Sequence, residues 1–184
     1  MSLYKTLFMN EQDYLISNYH ELFETVVYSA VAFLVPFFLG HSQLVTGMIV
    51  NMALVLAALN LRNGKLLPVI FLPSIGALAG GMIFGPFTIY LVYMIPFIWA
   101  GNFLLVYLVK RLSLSGRKNS LLSLGAGAAV KSAFIFAGAL ALFSLAVIPK
   151  QLLVPMGILQ LATALIGGNL ALGVQRLKKQ VAAN

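Results

Sequence analysis

The sequence predicts an all-α, polytopic integral membrane protein, a bundle of six transmembrane helices with both termini in the cytoplasm. The chain has 184 residues, of which 61% are hydrophobic and 9% charged, and its mean hydropathy is +0.98. A soluble domain normally carries about 25% charged residues, so the apolar surface of this chain suits lipid. All four carboxylates lie within the first 24 positions, which leaves the rest of the chain without an acidic residue.

Apolar segments of membrane-spanning length follow one another along the chain, and each span needs roughly 20 residues. Residues 1–21 precede them and are predicted to form an amphipathic lead-in helix on the membrane surface, with Asn10 as its N-cap. The predicted spans cover 22–39, 43–61, 66–84, 88–109, 121–147 and 152–174. They form one transmembrane domain at 22–176, which a basic cytoplasmic tail at 177–184 follows.

The charges of the loops predict the orientation. Basic residues lie in or beside alternate loops and in the C-terminal tail: Arg62, Lys65, Lys110, Arg111, Arg117, Lys118, Arg176, Lys178 and Lys179. The other loops, at 40–42, 85–87 and 148–151, hold only Lys150. Because cytoplasmic loops carry an excess of Lys and Arg, the basic loops are predicted to be cytoplasmic and the other loops to face outward.

Small residues and prolines mark several spans. Gly76 and Gly80 in span three, and Gly125 and Gly127 in span five, would let helix backbones approach closely. Two interpretations stay open: tight packing within one bundle, or a docking face for another membrane subunit. Prolines within or beside the spans are predicted to kink helices and to help enclose a pocket. They are Pro36, Pro68, Pro73, Pro96 and Pro155.

Lys131 is the most informative residue of the predicted core. It lies about ten residues into span five, or roughly 15 Å at 1.5 Å per residue, near the middle of a ~30 Å hydrocarbon layer. A lysine at that depth costs about 2.5–3.5 kcal/mol, and no later span has a carboxylate to pair with it. Three interpretations follow: capping by carbonyl groups or Asn side chains, contact with an anionic substrate group, and snorkelling or contact with a partner.

A polar helix face follows the first predicted outer loop. Gln43, Gly47 and Asn51 are spaced four residues apart and therefore share one side of span two. This pattern predicts the wall of a site that is open to the outside, with His41 in the preceding loop and Gln160 in the last span as further ligand contacts. The alternatives are interhelical hydrogen bonding for Asn51 and an ordinary solvated position for His41.

Aromatic residues surround Pro96 in span four. Tyr90 is typical of the aromatic belt at a membrane interface, whereas Tyr93, Phe97 and Trp99 lie deeper and are predicted to stack on a flat ligand. Two further polar residues, Asn102 and Asn169, are interpreted as packing hydrogen bonds.

Enzyme templates do not fit the sequence. Residues 125–132 come close to a phosphate-binding P-loop, but Val130 replaces the last glycine and no Walker B Asp follows. Neither His lies in a predicted span, and aspartyl or metal-dependent catalysis needs acids that the spans lack. No catalytic residue, metal site or cofactor is predicted. A nucleic-acid partner is not expected either, because the basic residues lie at the ends of apolar segments.

Two segments carry a resemblance to a known family. They are "LVTGMIVNMALVLAAL" in span two and "PSIGALAGGMIFGPFTIYLVYMIPFIWAGNFLLVY" over spans three and four. With the size and the predicted topology, they resemble the substrate-binding S-components of energy-coupling factor (ECF) transporters. The resemblance is most specific between Gly80 and Pro86, where the Gly-rich span ends in "FGP".

The resemblance implies a binding subunit for a vitamin or a related micronutrient in the cell membrane, and the charge of Lys131 predicts that this ligand is neutral or anionic. Its site would lie in the outer half of spans four to six, beneath the loop after span one. Its partners would be membrane lipid, a transmembrane coupling subunit and two cytoplasmic ATPases. The lack of intramembrane carboxylates independently disfavours proton coupling. The alternatives are an assembly subunit of a larger membrane complex, and a stand-alone facilitator or channel.

Overall fold

The computed structural model describes residues 18–40, 42–115 and 119–183, and this part of the chain is helical, without a strand. The all-α prediction is therefore confirmed. The helices are α1 (Asn18–Phe38), α2 (Gln43–Asn60), α3 (Leu66–Gly80), α4 (Leu91–Lys110), α5 (Ser120–Ser144), α6 (Leu153–Met156) and α7 (Ile158–Ala183). Short 3-10 helices at Asn63–Lys65, Gly85–Tyr90 and Lys150–Leu152 connect some of them, and a π-helical turn at Arg111–Ser115 extends α4.

Five helical stretches of the described chain are long and apolar enough to cross a membrane, which supports a multi-pass membrane protein. The helix α3 is shorter. Its 15 residues extend about 22 Å at 1.5 Å per residue, less than a hydrocarbon layer of ~30 Å. The sequence predicted this span to continue to Phe84. It ends at Gly80 because Gly81 adopts a left-handed conformation, with φ of 67°, and its N–H caps the carbonyl of Ala77.

Glycines bring helices into backbone contact within the bundle. A Cβ on Gly76 would overlap the carbonyl oxygen of Phe33, and one on Gly80 would lie 2.5 Å from that of Phe37. The separation in sequence between the two contact partners is the same in both pairs, which means that α3 runs parallel to α1. The small residues of span three thus pack inside the bundle, in agreement with the first of the two interpretations given above. On α5, by contrast, a Cβ on Gly125 would meet nothing within 4 Å.

Charged side chains gather at one end of the bundle. Lys65 Nζ donates to Glu21 Oε2 at 2.8 Å, and the backbone N–H of Arg62 donates to Glu21 Oε1 at 2.6 Å. Lys178 near the end of the chain donates to Glu24 Oε1 and thereby connects α7 to α1. We call this end the basic end; it holds Arg62, Lys65, Lys110 and Lys178. The loops that were predicted to share one side of the membrane thus share one end of the fold.

A Glu21→Gln substitution is expected to lower the free energy of unfolding by about 1.5 kcal/mol, because hydrogen bonds to a charged group contribute about 1.5–3 kcal/mol and the amide keeps part of them. Glu21 is only 3% exposed. Glu24→Gln is the control and should cost less, since the Lys178 side chain is 42% exposed and solvent screens the pair. Reversible unfolding in mixed micelles measures both, and equal losses would contradict the expectation.

The last predicted span is broken. Gly157 takes φ of −107° and ψ of −99°, which separates the short α6 from α7. The carbonyl of Pro155, two residues before the break, accepts a hydrogen bond from Gln43 Nε2 at 3.3 Å. In a membrane protein such irregular backbone is tolerated where it is buried in protein or lines a cavity. The break at Gly157 therefore indicates a cavity or a buried contact in the interior of the bundle.

The ends of the chain differ from the predicted boundaries. The lead-in helix predicted at 1–21 falls mainly on residues 1–17, outside the described residues, and α1 already begins at Asn18 rather than at Leu22. At the other end α7 continues to Ala183, so most of the predicted tail at 177–184 is helical.

Candidate functional site

A polar cavity of about 80 Å³ lies inside the bundle, and each of the seven helices contributes to its lining. Apolar side chains form most of the wall, and a smaller set of polar groups converges on the interior, which is the usual character of a small-molecule site. The polar lining residues are Gln43, Thr46, Asn51, Ser74, Asn102, Lys131, Gln160 and Thr163.

Lys131 supplies the positive charge of this cavity. It is 2% exposed, and its Nζ donates a hydrogen bond to Asn51 Oδ1 at 2.6 Å. Its stem packs against α4 at Gly101, where a Cβ would lie 3.4 Å from Lys131 Cγ. The lining contains no carboxylate as far as the structure describes it. The cavity therefore holds an ammonium group beside a neutral amide, and an ammonium has three N–H donors to offer.

Asn51 is held in a single orientation. Its Nδ2 donates to the carbonyl of Gly47 at 2.9 Å and to Thr163 Oγ1 at 3.2 Å, and the Thr163 hydroxyl donates in turn to the carbonyl of Leu159 at 2.8 Å. With both amide protons used on that side, the amide oxygen points to Lys131. A hydrogen-bonded chain thus runs from α5 through α2 to α7 and fixes the ammonium group in the cavity.

Glycine spacing on α2 makes this chain of contacts fit. A Cβ on Gly47 would lie 2.9 Å from Thr163 Cγ2, so the polar face needs a glycine between Gln43 and Asn51. Asn51 both lines the cavity and bonds between helices, so the two interpretations of this residue describe one arrangement. Gln43 and Gln160 also line the cavity. Four predicted ligand contacts, Lys131, Asn51, Gln43 and Gln160, therefore come together at one place.

The predicted aromatic contacts lie elsewhere. Tyr93 is 53% exposed on the outside of the bundle. Phe97 packs between α4 and α5, where its ring centroid is 6.3 Å from that of Phe134. Trp99 turns toward α3, and its Nε1 donates to Ser74 Oγ at 2.6 Å. None of these three aromatic residues lines the cavity, and His41 lies outside the described residues.

The face of α4 that reaches the cavity carries Leu91, Ile98 and Asn102 instead. Asn102 is 1% exposed and donates to the carbonyl of Ile70 at 3.0 Å, so it makes the packing hydrogen bond that was predicted and also lines the site. Asn169, the other residue interpreted in this way, is exposed and donates to Leu165 of its own helix.

Sequence reasoning placed Thr46 in the polar group of span two but missed two other hydroxyl groups of the site, those of Ser74 and Thr163. Thr163 lies three residues after Gln160, as Thr46 lies three residues after Gln43. Residues three apart share a helix face, so this spacing was the available signal. Ser74 had no such signal, because its predicted span at 66–84 contains no other polar residue.

Comparisons with known proteins identify no relative of this chain. No family model, no curated protein and no solved structure matches the chain. Within the described residues, no group of three His, Cys, Asp or Glu side chains could hold a metal ion. The functional argument therefore rests on the cavity and on the charge of Lys131.

Proposed function

We propose that this chain is the membrane-embedded binding subunit of an uptake system for a small micronutrient, either neutral or anionic. In this proposal separate subunits provide the energy: a transmembrane coupling subunit and two cytoplasmic ATPases, as the resemblance to ECF S-components implies. The observation that carries the proposal is the cavity inside the bundle, with Lys131 hydrogen-bonded to Asn51 at its centre.

The chemistry of the lining supports recognition of a ligand by hydrogen bonds. Its polar groups are amides, hydroxyls and one ammonium group, which donate to or accept from a bound molecule. A carboxylate or phosphate on the ligand would accept from Lys131 in a region of low dielectric, where such a contact is strong. In this proposal the chain binds the ligand and takes part in its passage across the membrane, without a catalysed reaction and without a metal or cofactor.

The proposed topology has six crossings of the plasma membrane and cytoplasmic termini. The short α3 and the segment from Gly81 to Tyr90 would together make the third crossing. Support comes from the basic end, because Lys and Arg concentrate on the cytoplasmic side of membrane proteins.

Cysteine labelling is expected to reveal this topology in intact cells. The chain has no cysteine, so single cysteines at Ser42, Gln151 and Ser115 can be compared without background. Ser42 and Gln151 lie at the end opposite the basic end and should react with an impermeant thiol reagent, whereas Ser115 should react only after the cells are opened. Labelling of Ser115 alone in intact cells would reverse the orientation.

Ligand-dependent stabilisation tests the proposed function. The purified protein is heated with members of a panel of vitamins and related carboxylates, phosphates and neutral heterocycles. A binding subunit gains about 2.7 kcal/mol at a hundredfold excess of ligand over its Kd, whereas an assembly subunit gains nothing from any member. Uptake of the stabilising compound should require co-expressed coupling and ATPase subunits. Undiminished flux into liposomes that contain this chain alone would identify a facilitator instead.

A further inference from the structure

A second concave surface lies on the outside of the bundle, between α5 and the broken α6–α7 element. It is a groove of about 550 Å³, and we call it the apolar groove. From α5 it receives Ala129, Ser132 and Ala133, and from the opposite side Val154, Gly157 and Ile158. Val154 and Ile158 are 60% and 63% exposed, so in a membrane the groove opens toward lipid.

The apolar groove and the polar cavity lie next to each other, because residues that are adjacent in sequence line one and the other. Lys131 lines the cavity and the next residue, Ser132, lines the groove; Met156 lines the cavity and Gly157 lines the groove. The boundary between them thus follows the contact of α5 with the non-helical backbone at Gly157. Phe136 packs closely at this point, since a Cβ on Gly157 would lie 2.8 Å from its Cδ2.

The two volumes differ in a way that constrains the ligand. Pockets for small organic molecules commonly enclose about 300–1,000 Å³, whereas the cavity has about 80 Å³, which is room for one polar group and a few water molecules at about 10–15 Å³ each. The groove has the volume for an organic body, but Ser132 is the one polar side chain in its described lining. A ligand that uses both must be polar at one end and apolar over the rest.

We infer that the substrate is an amphipathic anion, a carboxylate or phosphate with an apolar chain or ring body, whose acidic end binds at Lys131 while its body lies in the apolar groove. This inference rests on the proposed binding function and specifies its substrate class. It also gives the route of access, since a ligand with such a body dissolves in the bilayer and reaches the site between α5 and α6.

Ser132 gives independent support. It is 6% exposed, and its Oγ has no hydrogen-bond partner within the described residues. Ser132 is the middle residue of the 25-residue α5, so it lies at the depth where lipid consists of hydrocarbon alone. Lipid chains would leave this hydroxyl unsatisfied, and a buried hydroxyl without a partner is unfavourable. An acidic end that crosses the boundary at this depth supplies the missing acceptor.

Calorimetric titration of the full-length protein in lipid nanodiscs tests the inference, with butyrate, octanoate and 1-octanol as probes. Octanoate should bind far more tightly than butyrate, by about fourfold for each additional buried methylene, and 1-octanol should bind weakly because it lacks the charge. Lys131→Met should reduce the affinity for octanoate by roughly 30-fold or more.

The groove is tested by Ala133→Phe, which fills it without contact to the cavity lining. This variant should lose at least tenfold in affinity for octanoate and keep its affinity for butyrate. Ala126→Phe is the matched control, because Ala126 is exposed on the same helix but is absent from the groove lining; it should bind octanoate as the unmodified protein does. All variants are compared in nanodiscs of one lipid composition, so that the partitioning of a given probe into lipid is the same for each variant.

Two results would overturn the inference and leave the proposed function standing. One is a polar ligand from the stabilisation panel whose affinity depends on Lys131 but not on Ala133→Phe. The other is a dimer in native mass spectrometry that Ala133→Phe dissociates while octanoate affinity stays unchanged, which would assign the groove to a second copy of the chain. Failure of every panel compound and of every carboxylate to bind would overturn both proposals.

Discussion

Replacement of Lys131 by Met is expected to lower the affinity for an anionic ligand by roughly 30-fold or more and to leave the fold intact. Loss of one member of a buried charge pair typically costs about 2–5 kcal/mol, and each 1.4 kcal/mol corresponds to about a factor of ten. Met keeps the length of the side chain and removes the charge. Since an isolated buried charge is unfavourable, the free energy of unfolding should stay the same or rise.

Lys150→Met is the matched control for this variant, because Lys150 is exposed at the end opposite the basic end and does not line the cavity. Isothermal titration of both variants with the ligand found by thermal stabilisation gives the comparison. Equal affinity in the Lys131 variant would assign this residue to helix packing through Asn51. A ligand with a permanent positive charge would remove the electrostatic argument altogether.

Replacement of Gly76 by Leu is expected to destabilise the bundle by about 3 kcal/mol or more. Overpacking of a tight interior typically costs about 1–3 kcal/mol, and here the first new carbon atom would overlap the carbonyl oxygen of Phe33. That atom belongs to backbone, so no side chain can move aside. The helices α1 and α3 would have to separate, which would also open the close contact of Gly80 with Phe37.

Gly125→Leu provides the control for this substitution. A Cβ at Gly125 would meet nothing within 4 Å, and loss of a helical glycine favours the helix by up to about 1 kcal/mol. We expect this variant to unfold at the same denaturant concentration as the parent or slightly higher, in mixed micelles followed by circular dichroism. A Gly76→Leu variant as stable as Gly125→Leu would mean that α1 and α3 tolerate separation.

The sequence predicted helix positions well where polar residues mark the ends. The second predicted span, at 43–61, matches α2 to within one residue because Ser42 caps it, accepting a hydrogen bond from the N–H of Val45. The predicted end of α3 was wrong, since the predicted span continued past Gly81. In an apolar segment the hydropathy does not change at the last helical residue, and only the left-handed conformation of Gly81 ends the helix.

The candidate site was predictable on α2 and α5, where isolated polar residues mark the inner face. Gln43, Asn51 and Lys131 line the cavity because apolar surroundings leave a polar side chain little choice of direction. On α4 the aromatic residues were placed wrongly, because the sequence does not distinguish the side of the helix that each of them faces. The rotation of this helix depends on packing against α5, through contacts such as Gly101 with Ile135. Sequence alone therefore could not reveal that Trp99 faces α3.

The contact between Glu24 and Lys178 has a consequence for biosynthesis. The first three helices can associate early, because Glu21 pairs with Lys65 and Gly76 packs on Phe33 within a short stretch of chain. Glu24 receives Lys178 only after the ribosome has added more than 150 further residues. Until then the inserted chain holds a carboxylate near the membrane surface without this cation. The contact that joins the last helix to the first is thus a late event of membrane insertion.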